Sequence, residues 1–278
     1  MNLARRTGCA KGKLRDVATI NDLGDDEVEE EVEHTFDKSA AEGEERLHRS
    51  TRVALTTGFA GGIEIGFGVL AYLAVYKETD SPFLGAIAFS IGFAALYLAH
   101  SELFTEGFYY PIVAIFAGKG SVLQLLRLWG LTLAANLAGG WALMWLVVAA
   151  FPDLHATFAK EALHFVEAPL DWQSIALAVL GGGAITLMTR MQAGSDSQVA
   201  TLAAALAGAF LLVGLGLFHS VLDSIIIFGA LHTGAEGVTY LNWLAWFWYV
   251  ALANVIGGLV LVTLPRLVRS SALVQEAP

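Results

Sequence analysis

Cysteine is all but missing from this chain. Cys9 is the only one in 278 residues, which excludes an internal disulfide framework and any cysteine-ligated metal site. No two of the seven histidines stand one helical turn apart, so the tight ligand spacing of a helical metal site is missing as well. No apolar segment follows the basic residues near the N-terminus before Val53, which argues against a signal peptide. The stretch NDLGDDEVEEEVEHTFDKSAAEGEER has few aromatics and too little apolar surface to fold alone. Residues 1–50 are therefore expected to be an acidic, disordered, solvated tail. Much of the net charge of −10 falls in this tail, so the charge says little about a substrate.

Hydrophobic residues make up 56% of the chain and glycine contributes 29 positions, a combination that soluble domains rarely reach. The reading is an all-α membrane protein. Crossing the hydrocarbon takes about 20 apolar residues, and six candidate spans lie at about 53–76, 83–117, 122–151, 172–193, 199–230 and 241–264. The second and fifth are too long for one straight helix. Residues 51–270 would form the six-helix transmembrane domain, and 271–278 a short C-terminal tail.

Of the 16 Lys and Arg residues, all but Lys77 and Lys160 fall on the N-terminal side of this topology. The positive-inside rule then places both termini in the cytoplasm, in an inner (plasma) membrane crossed six times. The segment FPDLHATFAKEALHFVEAPLDW becomes an exposed amphipathic outer loop, with His155, His164 and His232 solvated on that side.

Self-similarity sharpens the picture. AHSELF at 99–104 is echoed by FHSVLD at 218–223, and ANLAGG at 135–140 by ANVIGG at 253–258. The spacing from His100 to Asn136 is 36 residues and that from His219 to Asn254 is 35, so the short matches combine into one long-range correspondence. Two halves of three spans each must enter the membrane from opposite sides, which makes an inverted repeat with helices 2 and 5 broken. Unwound backbone cannot face lipid, so each break should line a protein-walled cavity. Asn136 and Asn254 are suited to tying down the freed backbone groups, and the neighbouring glycines to close helix packing.

With these motifs assembled, the chain resembles the formate/nitrite transporter family over about residues 52–269. ELFTE in the first break, AGKGS followed by RLWGLTLAANLAGG, then FHSVLDS and ANVIGG carry the resemblance. It implies an aquaporin-like protomer in a homopentamer within the bilayer, each protomer with a pore for a small monovalent anion or its weak acid. No enzyme activity, cofactor or nucleic-acid partner is implied. Carried over by position, Phe89 and Phe93 form the cytoplasmic-side constriction, Leu212 the other one, His219 the central proton-handling histidine, Thr105 the threonine of the first break, and Lys119 the anion-attracting lysine.

The chain departs from that pattern in places. Phe218 stands where the family usually has an acid, Asp223 where it often has an asparagine, and Leu212 where a phenylalanine is expected. Glu64 lies in mid-span, and Glu102, Glu106 and His100 surround the first break; a carboxylate ring suits cations or proton relay better than anions unless the acids are neutral or paired, with Arg190 for example. A pore for a different or cationic solute stays open on these residues. So does an intramembrane metal-dependent enzyme built on Glu102, His100, His219 and Asp223.

Overall fold

A computed structural model gives the structure of the chain and describes residues 9–269, with side chains from Val28 onward. The expected C-terminal tail, 271–278, and the side chain of Cys9 lie outside the described residues. Ten α-helices succeed one another, and no strand occurs among the described residues. They are α1 (Cys9–His48), α2 (Thr51–Thr79), α3 (Pro82–Leu98), α4 (Tyr110–Phe116), α5 (Val122–Ala150), α6 (His155–Val166), α7 (Trp172–Ala193), α8 (Gln198–Leu212), α9 (Leu222–Thr233) and α10 (Tyr240–Gly257). A π-helical stretch, Gly258–Thr263, extends the last of these.

Short polar residues set where the apolar helices begin. Ser50, Asp171 and Thr239 each accept a hydrogen bond from a first-turn amide of α2, α7 and α10, and Ser121 with Gln124 closes a reciprocal capping box at α5. Four segments are long and apolar enough to cross a membrane: Thr51–Thr79, Val122–Ala150, Trp172–Ala193 and Tyr240–Arg269. Outward-facing Leu123, Leu126, Trp145 and Leu146 of α5 are exposed on the isolated protomer, as expected of a face turned to lipid or to a second copy.

The two overlong runs are indeed interrupted. The 17 residues of α3 span only about 26 Å, short of the hydrocarbon thickness, before the chain turns at His100 (φ 54) into a 3₁₀ turn over Phe104–Phe108 and then α4. The second run breaks between α8 and α9, where Gly216 adopts a φ of 62 that side chains resist. Helix α2 packs on α3 and α5, α7 on α8 and α10, and α3 meets α8 across the middle.

The acidic N-terminal segment differs from the solvated coil expected of it. It is helical from Cys9 to His48, and its last third packs on α4, burying Ser39, Ala40 and Leu47. The apolar surface that the segment cannot bury alone it buries against Tyr109, Val113 and Ala114. The segment after Phe151 is likewise more than an exposed loop. Phe158, Ala162 and Phe165 of α6 are buried, and Phe158 sits so close to Gly229 of α9 that no side chain fits there. Trp246 is only 2% exposed and packs against Phe165 and Phe218.

Candidate functional site

One asparagine holds each break. Asn136 Nδ2 donates to Gly58 O (2.7 Å) and Glu102 O (2.8 Å), and its Oδ1 accepts from Phe104 N (2.8 Å). Asn254 repeats the set, donating to Ala178 O (2.7 Å) and Phe218 O (2.9 Å) and accepting from Ser220 N (2.9 Å). Both amides are fully buried, so these bonds satisfy backbone groups that the missing helical turns leave without partners. The helices carrying them approach closely. A Cβ on Gly62 would lie 2.1 Å from Asn136 O, and one on Gly182 2.0 Å from Asn254 O, so only glycine fits.

These bonds correct the register of the repeat. By contact with the asparagines, Glu102 corresponds to Phe218 and Phe104 to Ser220, which sets Leu103, not His100, opposite His219. The sequence match aligned histidine with histidine because that pairing is the longest identity. The structure instead aligns the backbone groups that each asparagine can reach.

His219 is wholly buried and its ring is fixed at both nitrogens. Leu222 N donates to Nδ1 at 3.0 Å, which makes Nδ1 the acceptor and places the proton of a neutral ring on Nε2. Nε2 stands 3.0 Å from Thr105 Oγ1 and donates to it. In turn His219 N donates to Asp223 Oδ2 at 2.7 Å, so the pair forms a reciprocal cap at the start of α9, with imidazole in the role usually taken by a hydroxyl.

Two cavities open near this pair. One of about 570 Å³, on the side where α1 packs, is lined by Arg46, Arg49, Tyr97, His100, Ser101 and Glu106 among others. The other, of about 540 Å³ beside α6, is lined by Tyr72, Lys160, Glu161, His164, Leu212 and Asp223 among others. Thr105 and His219 line neither, yet Glu106 adjoins Thr105 and Asp223 sits one turn beyond His219. Each member of the hydrogen-bonded pair thus has a near neighbour along the chain that lines a different cavity.

A family model for formate/nitrite transporters matches residues 33–268. The chain belongs to the formate/nitrite transporter family. Among solved structures, the fold is similar to that of an FNT family ion channel, at 18% identity, covering 84% of this chain and 97% of that one, with a TM-score of 0.74. It is similar also to a pentameric formate channel with formate bound, at 19% identity, covering 79% and 97%, with a TM-score of 0.67. No protein of curated function matches in sequence.

In this family member the acids around the first break are paired. Arg49 Nη1 lies 3.1 Å from Glu102 Oε1, and Arg46 Nη1 lies 3.3 Å from Glu106 Oε2. The partners are Arg46, in the last turn of α1, and Arg49, just after it, not Arg190, as considered from sequence. The same arginines bind Glu42 (2.7 Å) and Glu45 (3.1 Å) within α1. Burial by itself would raise the Glu42 pKa, but Arg46 and then Arg49 outweigh it and hold the carboxyl below its usual value. Burial likewise disfavours the charge on Arg46, and Glu106, Glu42 and Glu102 more than restore it.

Glu64 is half-buried, accepts from Ser101 Oγ at 2.9 Å and lines neither cavity. Phe89 and Phe93 are buried edge to face with centroids 5.0 Å apart, two turns and one turn from Leu96 and Tyr97 at the α1-side cavity. Leu212 lines the α6-side cavity. Lys119 faces Glu44 at 3.7 Å and lines neither cavity, since the turn at Gly118 (φ 74) carries it past the end of α4. The cations that line the cavities are Lys38, Arg46 and Arg49 on one side and Lys160 on the other. His155 Nε2 donates to Val148 O and His232 Nε2 to Trp141 O, whereas His164 lines the α6-side cavity. His100 is exposed while His219 is buried, and no group of three His, Cys, Asp or Glu side chains among the described residues could hold a metal ion.

Sequence reasoning missed Arg46, Arg49, Tyr72 and Glu161. A signal for the first two existed in EGEERLHR, where Glu42 with Arg46 and Glu45 with Arg49 stand four apart, as they do along a helix.

Proposed function

We propose that the chain is a membrane pore for a small monovalent anion or its conjugate weak acid, formate and nitrite among them. The observation that carries this reading is the hydrogen bond from His219 to Thr105, held by two asparagine-tethered breaks. Membership of the family supports transport over catalysis. The three-plus-three inverted arrangement, the crossing of an inner membrane six times with both termini cytoplasmic, and assembly as a homopentamer are parts of the same proposal. The pentameric state named for the similar formate channel supports the last of these.

The physical logic rests on the cost of charge. A bare anion between Phe89, Phe93 and Leu212 would lose its hydration without replacement, a cost of several kcal/mol. Thr105 and His219 offer polar atoms beside these apolar side chains, and a proton relayed from water through His219 to the anion removes the remaining penalty. Arg46 and Arg49 pair with Glu102 and Glu106, and Lys38 joins them in the lining of the α1-side cavity, which lessens the repulsion of an approaching anion.

Proteoliposome uptake of labelled formate and nitrite across a pH gradient tests the proposal. Flux above that of empty vesicles, lowered in His219→Asn, is expected. No flux over the background, with His219→Asn indistinguishable from the parent, would reject it.

A further inference from the structure

Three arginines meet at a small cleft that the proposed pore does not use. Arg190 stands in the last turn of α7, and Arg266 and Arg269 in the helical stretch beyond the π-helix; all three line the cleft, with Phe36 of α1, Val113 of α4 and Leu267 among the others. The segments that carry the arginines, Trp172–Ala193 and Tyr240–Arg269, are each long and apolar enough to cross a membrane. The cluster therefore sits where two spans leave the hydrocarbon, on the face where α1 packs.

Positive charge is in excess at this place. Each helix carboxyl end carries about half a negative charge, so the two ends offset about one of the three guanidinium charges. Although α1 is acidic, it turns only Val32, Thr35 and Phe36 to the cleft, while Glu31, Glu33 and Asp37 are exposed. Asp196, the acid nearest to Arg190 in sequence, is taken by Lys38. Among the described residues no carboxylate pairs with Arg190 or Arg269. Arg266 is already engaged and adds its charge at the rim.

The shape fits the charge. Gly194 leaves room for the Arg190 guanidinium, since a Cβ there would lie 2.5 Å from its Nη1. The cleft holds about 30 Å³, space for about two water-sized groups, which suits two oxygens of a phosphate gripped by guanidinium forks. Leu261 and Leu264, on the same segment as Arg266 and Arg269, are exposed on the isolated protomer, so an apolar face adjoins the cationic end as acyl chains beneath a headgroup would require.

We infer that this cleft binds an anionic phosphate group, carried on a lipid headgroup or dissolved in water. The site does not depend on what the pore conducts. An occupant joins the ends of α7 and the last span, so binding stabilises the folded protein by mass action.

The test follows the thermal midpoint of the full chain in neutral detergent as phosphatidylglycerol, phosphatidylcholine or inorganic phosphate is added, the last against chloride at equal ionic strength. The parent should bind phosphatidylglycerol at least about tenfold more tightly than phosphatidylcholine, and Arg190→Gln combined with Arg269→Gln should remove that preference. Arg52→Gln, which takes an exposed arginine from outside the cleft, should keep it. If the double variant does not fold, Arg269→Gln alone, at an exposed position, should lower the preference about fivefold. A response to phosphatidylglycerol alone supports the site with lipid as its source, and an equal response to inorganic phosphate supports it with dissolved phosphate as the source. A parent that favours neither over its control overturns the inference, as does an equal loss in Arg52→Gln, which would mean attraction to surface charge in general.

Discussion

Arg49 Nη1 stands 3.1 Å from Glu102 Oε1, so the link between α1 and the first span pairs with a carboxylate at the first break. Arg46 reinforces the contact, reaching Glu106 at 3.3 Å and Glu102 at 4.0 Å. With side-chain exposures of 3% and 6% for the two acids, neither is well hydrated. The docking of α1 and the charge of the pore entrance are therefore one feature.

Removing one partner of such a pair strands the other. Arg49→Gln should lower stability by about 2 to 4 kcal/mol, read as a fall in thermal midpoint in detergent. Adding Glu102→Gln should recover much of the loss. Equal losses from the single and double variants would mean that the pair is not coupled.

Acid should loosen α1, and the direction follows from the carboxylates outside the membrane. The side-chain hydrogen bond from Lys38 (2.5 Å) holds Asp196 below its usual 3.8, and Glu42 lies below its usual 4.5. Groups with depressed folded values contribute stability that is fully present above the unfolded values and is lost as pH falls through the folded ones. Limited proteolysis between α1 and α2 should be unchanged from pH 7 to about 5 and should accelerate below about 4. Faster cleavage already between pH 7 and 5 would assign the attachment to other groups.

The asparagines should be costly to replace and roughly equal in cost. Asn136→Ala or Asn254→Ala deletes three hydrogen bonds each and leaves a buried amide, at Phe104 or Ser220, without a partner. A loss of about 2 to 4 kcal/mol is expected from either, by chemical denaturation in detergent. Asn136→Asp retains only the acceptor and should fall close to the alanine variant.

Close approach predicts a contrast between two glycines of one protomer. Gly62→Ala drives a methyl into the backbone oxygen of Asn136, 2.1 Å away, and should prevent the native fold. Gly130→Ala meets nothing within 4 Å and should be neutral, or stabilise by up to about 1 kcal/mol through helix propensity. Size-exclusion profiles of the two purified variants decide the point.

Thr105 carries the other end of the central hydrogen bond. Thr105→Val preserves shape but removes the acceptor for the His219 Nε2 proton, so flux should fall and the thermal midpoint should drop by the cost of one buried donor without a partner, about 1 to 3 kcal/mol. Thr105→Ser should restore flux.

The class of the molecule was legible in the sequence because length, hydropathy and glycine content act locally, one span at a time. The two breaks, the tethering role of Asn136 and Asn254, and the glycine-lined packing followed from polar residues placed where lipid would punish them. Pairing was not legible. His100 and His219 share a letter and a neighbouring serine, but their equivalence failed by three residues, because the register is decided by which amides an asparagine on another helix can reach. Glu102 and Glu106 read as a repulsive ring until α1 brought Arg46 and Arg49 to them. That contact joins positions more than 50 residues apart, and composition had marked one of them as belonging to a solvated tail. What residues do singly was set by their own chemistry; what they neutralise, cap or orient was set only when the tertiary fold chose their partners.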